Sequence, residues 1–168
     1  MKNVPNKINL CTRLILVILG IVSIIALPIV YGWMGSYSKY YSEIPVLFTI
    51  VFSTLSIGLY IHSNNEWKVP AISLILLSIF DMYRFPLVHY SSAIVFFIMS
   101  TYAMWNDKRV DGFGKLSLMF YLLFFVDLLV FEMVQVLLIC TFHLIYVIRM
   151  FNVKVEKKII EEVIKEDI

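Results

Sequence analysis

The sequence predicts an all-α, polytopic membrane bundle of six transmembrane helices with a short amphipathic C-terminal helix. Three observations carry that prediction. Of the 168 residues, 61% are hydrophobic and 15% charged, with a mean hydropathy of +0.87; a soluble domain of this size leaves too much surface exposed to hide that much apolar area. The apolar residues come in runs of about membrane length, separated by short breaks bearing polar residues, Pro or Gly. Threading those runs through a bilayer gathers almost every basic residue on one side.

Residues 1–13 carry Lys2, Lys7 and Arg13 without an acid, and residues 14–31 are then apolar. That run is long for a signal peptide and no small-x-small cleavage site follows it. It reads as a retained first span, with Pro28 a tolerated kink near its end. After a tyrosine-rich loop, Ser42 and Pro45 announce a second span over 45–61, because Pro lacks the N–H that a first helical turn leaves unpaired. Pro70 opens a third span over 69–83 in the same way. Its rise of about 22 Å falls short of the roughly 30 Å hydrocarbon core. Asp81 and Arg84, three apart at its end, are spaced to pair on one helix face. Pro86 forces a break, and 87–105 forms a fourth span with His89 in its first turn. Residues 106–115, with Gly112 and Gly114, make a polar turn.

Residues 116–149 form one apolar run. A straight helix of that length would extend about 50 Å, too far for a single crossing. Two spans, 116–131 and 133–149, joined by a tight hairpin at Phe131–Glu132, fit better, although no Gly, Pro or Asn marks a turn there. The alternative is one tilted helix and five spans in all. Charge separates the two: six spans place all of the 14 Lys and Arg on one side except Lys39 and Arg84, whereas five spans divide them evenly. Both termini are therefore expected in the cytoplasm, with the chain in the cell membrane. Residues 1–150 form the transmembrane domain and 151–168 a cytoplasmic tail, in which Ile160, Val163, Ile164 and Ile168 share a helical face and Lys157–Glu161 and Glu161–Lys165 are i,i+4 pairs.

Six spans bring Glu43, Asp81, Arg84, His89, Asp127, Glu132 and Gln135 to the extracytoplasmic end, and align Glu132, Gln135 and His143 as a polar stripe on the last helix. Ionisable groups at such depth face a bundle interior or a cavity. Three readings compete. In the leading one these groups hold helices together in a small membrane protein of accessory or assembly role, Gln135 and His143 bonding across helices. The runner-up is a lipid-modifying enzyme or lipid carrier, with His89 as general base beside Asp81 or Glu132 and with Arg84, Asp127, Gln135 and His143 as binding groups. A proton or ion path along Glu132, Gln135 and His143 is the third. The pocket reading requires Asp81, Arg84, His89 and Glu132 to converge on one cavity; an elongated apolar one would favour lipid.

Other classes find little support. There is no G-x-S-x-G, H-E-x-x-H, phosphate-loop or dinucleotide fingerprint, and His62, His89 and His143 are expected at different depths, so no metal or other cofactor is expected. Cys11 and Cys140 are too far apart in depth for a disulfide; Cys11 reads as an ordinary thiol rather than a palmitoylation site. The net charge of +2 and the lack of a basic patch argue against nucleic acid. The expected partners are the lipid bilayer, a lipid ligand and a homo- or hetero-oligomer.

Overall fold

The structure is a computed structural model that describes residues 7–108, 110 and 112–166; the side chains of 7–9, 62, 154 and 156–166 lie outside the description. Among the described residues it is all-helical, without a strand. Three helices are long and apolar enough to cross a membrane, covering Leu10–Tyr31, Pro86–Asn106 and Leu128–Val153.

The first helix, α1 (Lys7–Tyr31), contains Pro28. Leu10, Arg13, Val17, Ile24 and Leu27 form its buried stripe, while Ile15, Ile18, Val22, Ile25 and Ile29 are exposed on the opposite one. A helix that is apolar on its exposed face as well as its packed one is suited to lipid, not water. The next segment is not an open loop: a 3-10 turn (Tyr37–Lys39) and the single-turn α2 (Tyr40–Glu43) fold it onto the bundle. Next comes α3 (Pro45–His62), which starts at its proline, followed by α4 (Lys68–Ile79), which is shorter than the expected span. It stops because Phe80 turns extended and Asp81 Oδ1 accepts the Tyr83 N–H at 2.9 Å, an Asx turn. Asp81 and Arg84 therefore approach each other, at 3.9 Å, in a turn and not along a helix face.

Helix α5 (Pro86–Asn106) again opens on proline. It is followed by α6 (Phe113–Phe120) and a 3-10 extension, Tyr121–Phe125, together rising only about 22 Å. The long α7 (Leu128–Glu166) completes the chain. The hairpin expected at Phe131–Glu132 thus falls at Val126–Asp127, and Glu132 lies inside the first turns of α7. The turn is made by Asp127, whose Oδ1 accepts the Val130 N–H at 3.1 Å and caps the helix. Residues 151–166 continue α7 and do not form a separate helix. The apolar face and charge pairs expected there, like Lys2 and Arg109, lie outside the described side chains, as does the side chain of His62.

The helices pack in a ring: α1 against α7 and α3, then α3 on α4, α4 on α5, α5 on α6, and α6 back on α7. Successive long helices alternate in direction, because the connections meet at two opposite ends. At one end Ser38 and Phe80 each bond to His89, and Tyr37 bonds to Glu132. At the other, Asn64 donates to Asp107 at 3.3 Å, and Arg13, Trp67 and His143 pack together.

Candidate functional site at the Ser38 end

The segment between α1 and α3 is pinned by two tyrosines. The Tyr37 hydroxyl donates to the Ile24 carbonyl, and Tyr40 donates to Gly32 at 2.6 Å. Burial, then the neighbouring Tyr40 phenol and Glu132 carboxylate, raises the Tyr37 phenol above its usual value, so it stays a donor. With Tyr37 fixed, its backbone N–H points at Glu132 and donates to Oε2 at 2.5 Å. The buried acid on α7 thereby receives a partner from the loop instead of from a base.

Ser38 is buried next to it and faces His89, the fourth residue of α5 and also buried. His89 makes two bonds: Nδ1 lies 2.8 Å from the Phe80 carbonyl oxygen, and Nε2 lies 2.7 Å from Ser38 Oγ. A carbonyl oxygen can only accept, so Nδ1 carries the ring proton. Nε2 is then a lone pair, and the Ser38 hydroxyl donates to it. Three separate chain segments produce this arrangement: the loop supplies the hydroxyl, α5 the ring, and the extended residue that ends α4 the carbonyl.

Two cavities meet at Ser38 and Glu132. The larger, about 440 Å³, is a groove between α5 and the α6–α7 hairpin, roofed by Gly35, Ser36, Ser38 and Lys39. The exposed Ile94, Ile98 and Phe124 on its walls place its mouth on the side of the bundle. Its walls are apolar; its polar groups gather at the roof, with Lys39 exposed at the rim. The second is a narrow apolar cavity of about 90 Å³ between α1, α3 and α7. It runs from Tyr37, Ser38 and Glu132 to Arg13, Ser63 and His143.

The residues singled out in the sequence therefore sort into separate places. His89 and Glu132 are brought together, bridged by Tyr37 and Ser38. Asp81 and Arg84 are not: Arg84 is 83% exposed and Asp81 is engaged in its own turn, so convergence of all four on one cavity does not occur. Asp127 is a helix cap. Gln135 turns away from the stripe towards α6, donating to the Ser117 carbonyl at 2.9 Å and accepting the Ser117 hydroxyl at 2.7 Å. Ser117 in turn lies 2.7 Å from Thr101 of α5, so three helices are joined by one polar network.

His143 sits at the opposite end of the bundle from Ser38. Arg13 Nε donates to its Nδ1 at 3.1 Å, and Nη2 lies 2.6 Å from the same atom. The guanidinium also covers the Tyr146 ring at 4.0 Å, and Trp67 packs on the imidazole. Since arginine only donates, the His143 ring proton is on Nε2, which has no hydrogen-bond partner among the described residues. Among those residues no group of three or more His, Cys, Asp or Glu could hold a metal ion.

Sequence reasoning missed Ser38, Tyr37 and Arg13. Arg13 was the most accessible of the three, as a base only just ahead of an apolar run that turns out to begin its helix earlier. A lone serine in a tyrosine-rich loop gave no signal at all. Compared with known proteins, no family model, no curated protein and no solved structure matches the chain.

Proposed function

We propose that the chain is an integral protein of the cell membrane, crossing it six times with both termini cytoplasmic, and that it binds a lipid in the groove below Ser38 and Lys39. The observation that carries the binding reading is the shape and chemistry of that groove: apolar walls open to the side, closed at one end by a roof of Ser36, Ser38, Lys39 and Glu132. An acyl chain fits walls of this kind, and the roof offers hydroxyls and one cation to a headgroup. The threading rests on the clustering of basic residues. Arg13, Lys68, Lys108, Lys115 and Arg149 belong to the end of the bundle away from Ser38, so that end is cytoplasmic and the groove roof extracytoplasmic. Thin segments such as α4 and the α6 extension are matched to the bilayer by local thinning and by snorkelling of flanking residues.

Two measurements test this. In a background lacking Cys11 and Cys140, Lys39→Cys is labelled by an impermeant thiol reagent from outside intact cells and Asn65→Cys is not; the reverse pattern overturns the orientation. For the groove, the full chain is placed in phosphatidylcholine vesicles with a trace of phospholipid carrying a diazirine on its acyl chain. Adducts should concentrate on Ile94, Ile98 and Phe124 and be lost from them in Ala93→Trp, which fills the groove. Adducts spread evenly over Ile15, Ile18, Val22 and the other exposed apolar residues would leave the accessory-subunit reading in its place.

A further inference from the structure

The geometry points to Ser38 as a catalytic nucleophile and His89 as its general base, acting on the ester-linked acyl chain of a lipid held in the groove. This rests on the lipid-binding reading above and goes beyond it. A serine hydroxyl is a weak nucleophile unless a positioned base takes its proton, and the base must itself be held in the correct tautomer by a third group. All three parts are present. Ser38 Oγ is 2.7 Å from His89 Nε2. The Phe80 carbonyl, 2.8 Å from Nδ1, fixes the proton on that nitrogen and leaves Nε2 free to accept. Ser38 lines the roof of the groove, where the polar end of a lipid whose chain lies along Ile94 and Phe97 would sit.

The bland alternative is that the Ser38–His89 bond only ties a loop to a helix. Tethering alone does not explain the placement: Tyr37 and Tyr40 already anchor the segment on either side of Ser38. Nor does it call for Ser38 to line both cavities.

The step balances without any further reactant than water or a second alcohol. As Oγ bonds to the ester carbonyl carbon, the hydroxyl proton passes to His89 Nε2. The tetrahedral adduct collapses, the bond from carbon to the leaving alcohol oxygen breaks, and the imidazolium returns the proton to that oxygen. The acyl group is then an ester on Ser38. Water or another lipid hydroxyl, deprotonated by the same nitrogen, attacks it and regenerates Ser38. No electrons are transferred. The Phe80 carbonyl positions the ring; Glu132, through the Tyr37 N–H, positions the turn that carries Ser38.

The test uses a long-chain alkyl fluorophosphonate, which forms a stable adduct with an activated serine, on the full chain in phosphatidylcholine nanodiscs. The expected result is a phosphonyl adduct on Ser38, absent from Ser38→Ala and formed at least about 100-fold more slowly in His89→Gln, the loss a general base implies. Absence of an adduct on Ser38, or equal rates with and without His89, overturns the proposal. Should His89→Gln fail to fold, wild type against Ser38→Ala decides alone, an adduct lost with Ser38 sustaining it. The acyl-chain photolabelling separates this proposal from its foundation. Groove adducts without reaction at Ser38 remove the nucleophile and keep the lipid site, and reaction at Ser38 with scattered adducts does the opposite.

Discussion

Replacing His143 by leucine lowers the unfolding free energy by about 2 kcal/mol, the scale of a lost hydrogen bond to a charged group. Arg13 is 5% exposed and directs two N–H groups at the single acceptor Nδ1. Leucine fills much of the same space but removes the ring nitrogen to which those N–H groups point. Arg13→Met leaves a neutral ring with unbonded nitrogens and removes the cation–π contact to Tyr146, a loss of about 1–3 kcal/mol. The double variant Arg13→Met/His143→Leu costs less than the sum of the two single variants, since the bond that both remove is counted only once. Equilibrium unfolding of the four proteins in mixed micelles, treated as a double-mutant cycle, measures this directly. Simple addition of the two single losses would mean that the Arg13–His143 bond does not couple α1 to α7.

Gly114→Ala is expected to destabilise by about 3 kcal/mol, the upper part of the usual overpacking range. A Cβ at Gly114 would lie 2.5 Å from the Trp105 Cα and 2.6 Å from its backbone nitrogen. Those are main-chain atoms of α5, so no rotamer change can make room and α6 has to move. Movement of α6 would also pull Ser117 from Gln135 and Thr101. Gln135→Leu should therefore cost less in the Gly114→Ala background than in wild type. Leu118→Ala on the exposed face of the same helix serves as the control, with an expected change within about 0.5 kcal/mol. Thermal unfolding of the purified protein in detergent resolves all three, and an unchanged transition for Gly114→Ala would mean that α5 and α6 are not in contact as closely as described.

The readable and unreadable parts of the chain divide along a physical line. The helix start at Pro45 and the break at Pro86 could be read because proline acts through its own backbone, whatever surrounds it, whereas α4 begins at Lys68, two residues before the Pro70 expected to open it. Asp81 and Asp127 were legible as charges but misread in role. An acid within an apolar run suggests a membrane-embedded site, yet both carboxylates were satisfied by N–H groups two and three residues away, in a turn and a cap. That choice displaced the hairpin from Phe131–Glu132 to Val126–Asp127. The stripe of Glu132, Gln135 and His143 was legible as a buried face but not in its partners. Helical spacing aligns side chains on one helix but not their partners, and these three found theirs on the loop, α6 and α1 respectively.

By itself the sequence determined that the chain is helical, that its helices suit lipid on their outer faces, and roughly where they begin and end. These follow from composition, local backbone chemistry and a run of neighbours along the chain. Only the tertiary structure decided what the polar groups do. Ser38 and His89 are 51 residues apart, Tyr37 and Glu132 95, Arg13 and His143 130. A hydrogen bond is specified by distance and direction between two atoms, and no spacing in the sequence encodes that for residues on different helices.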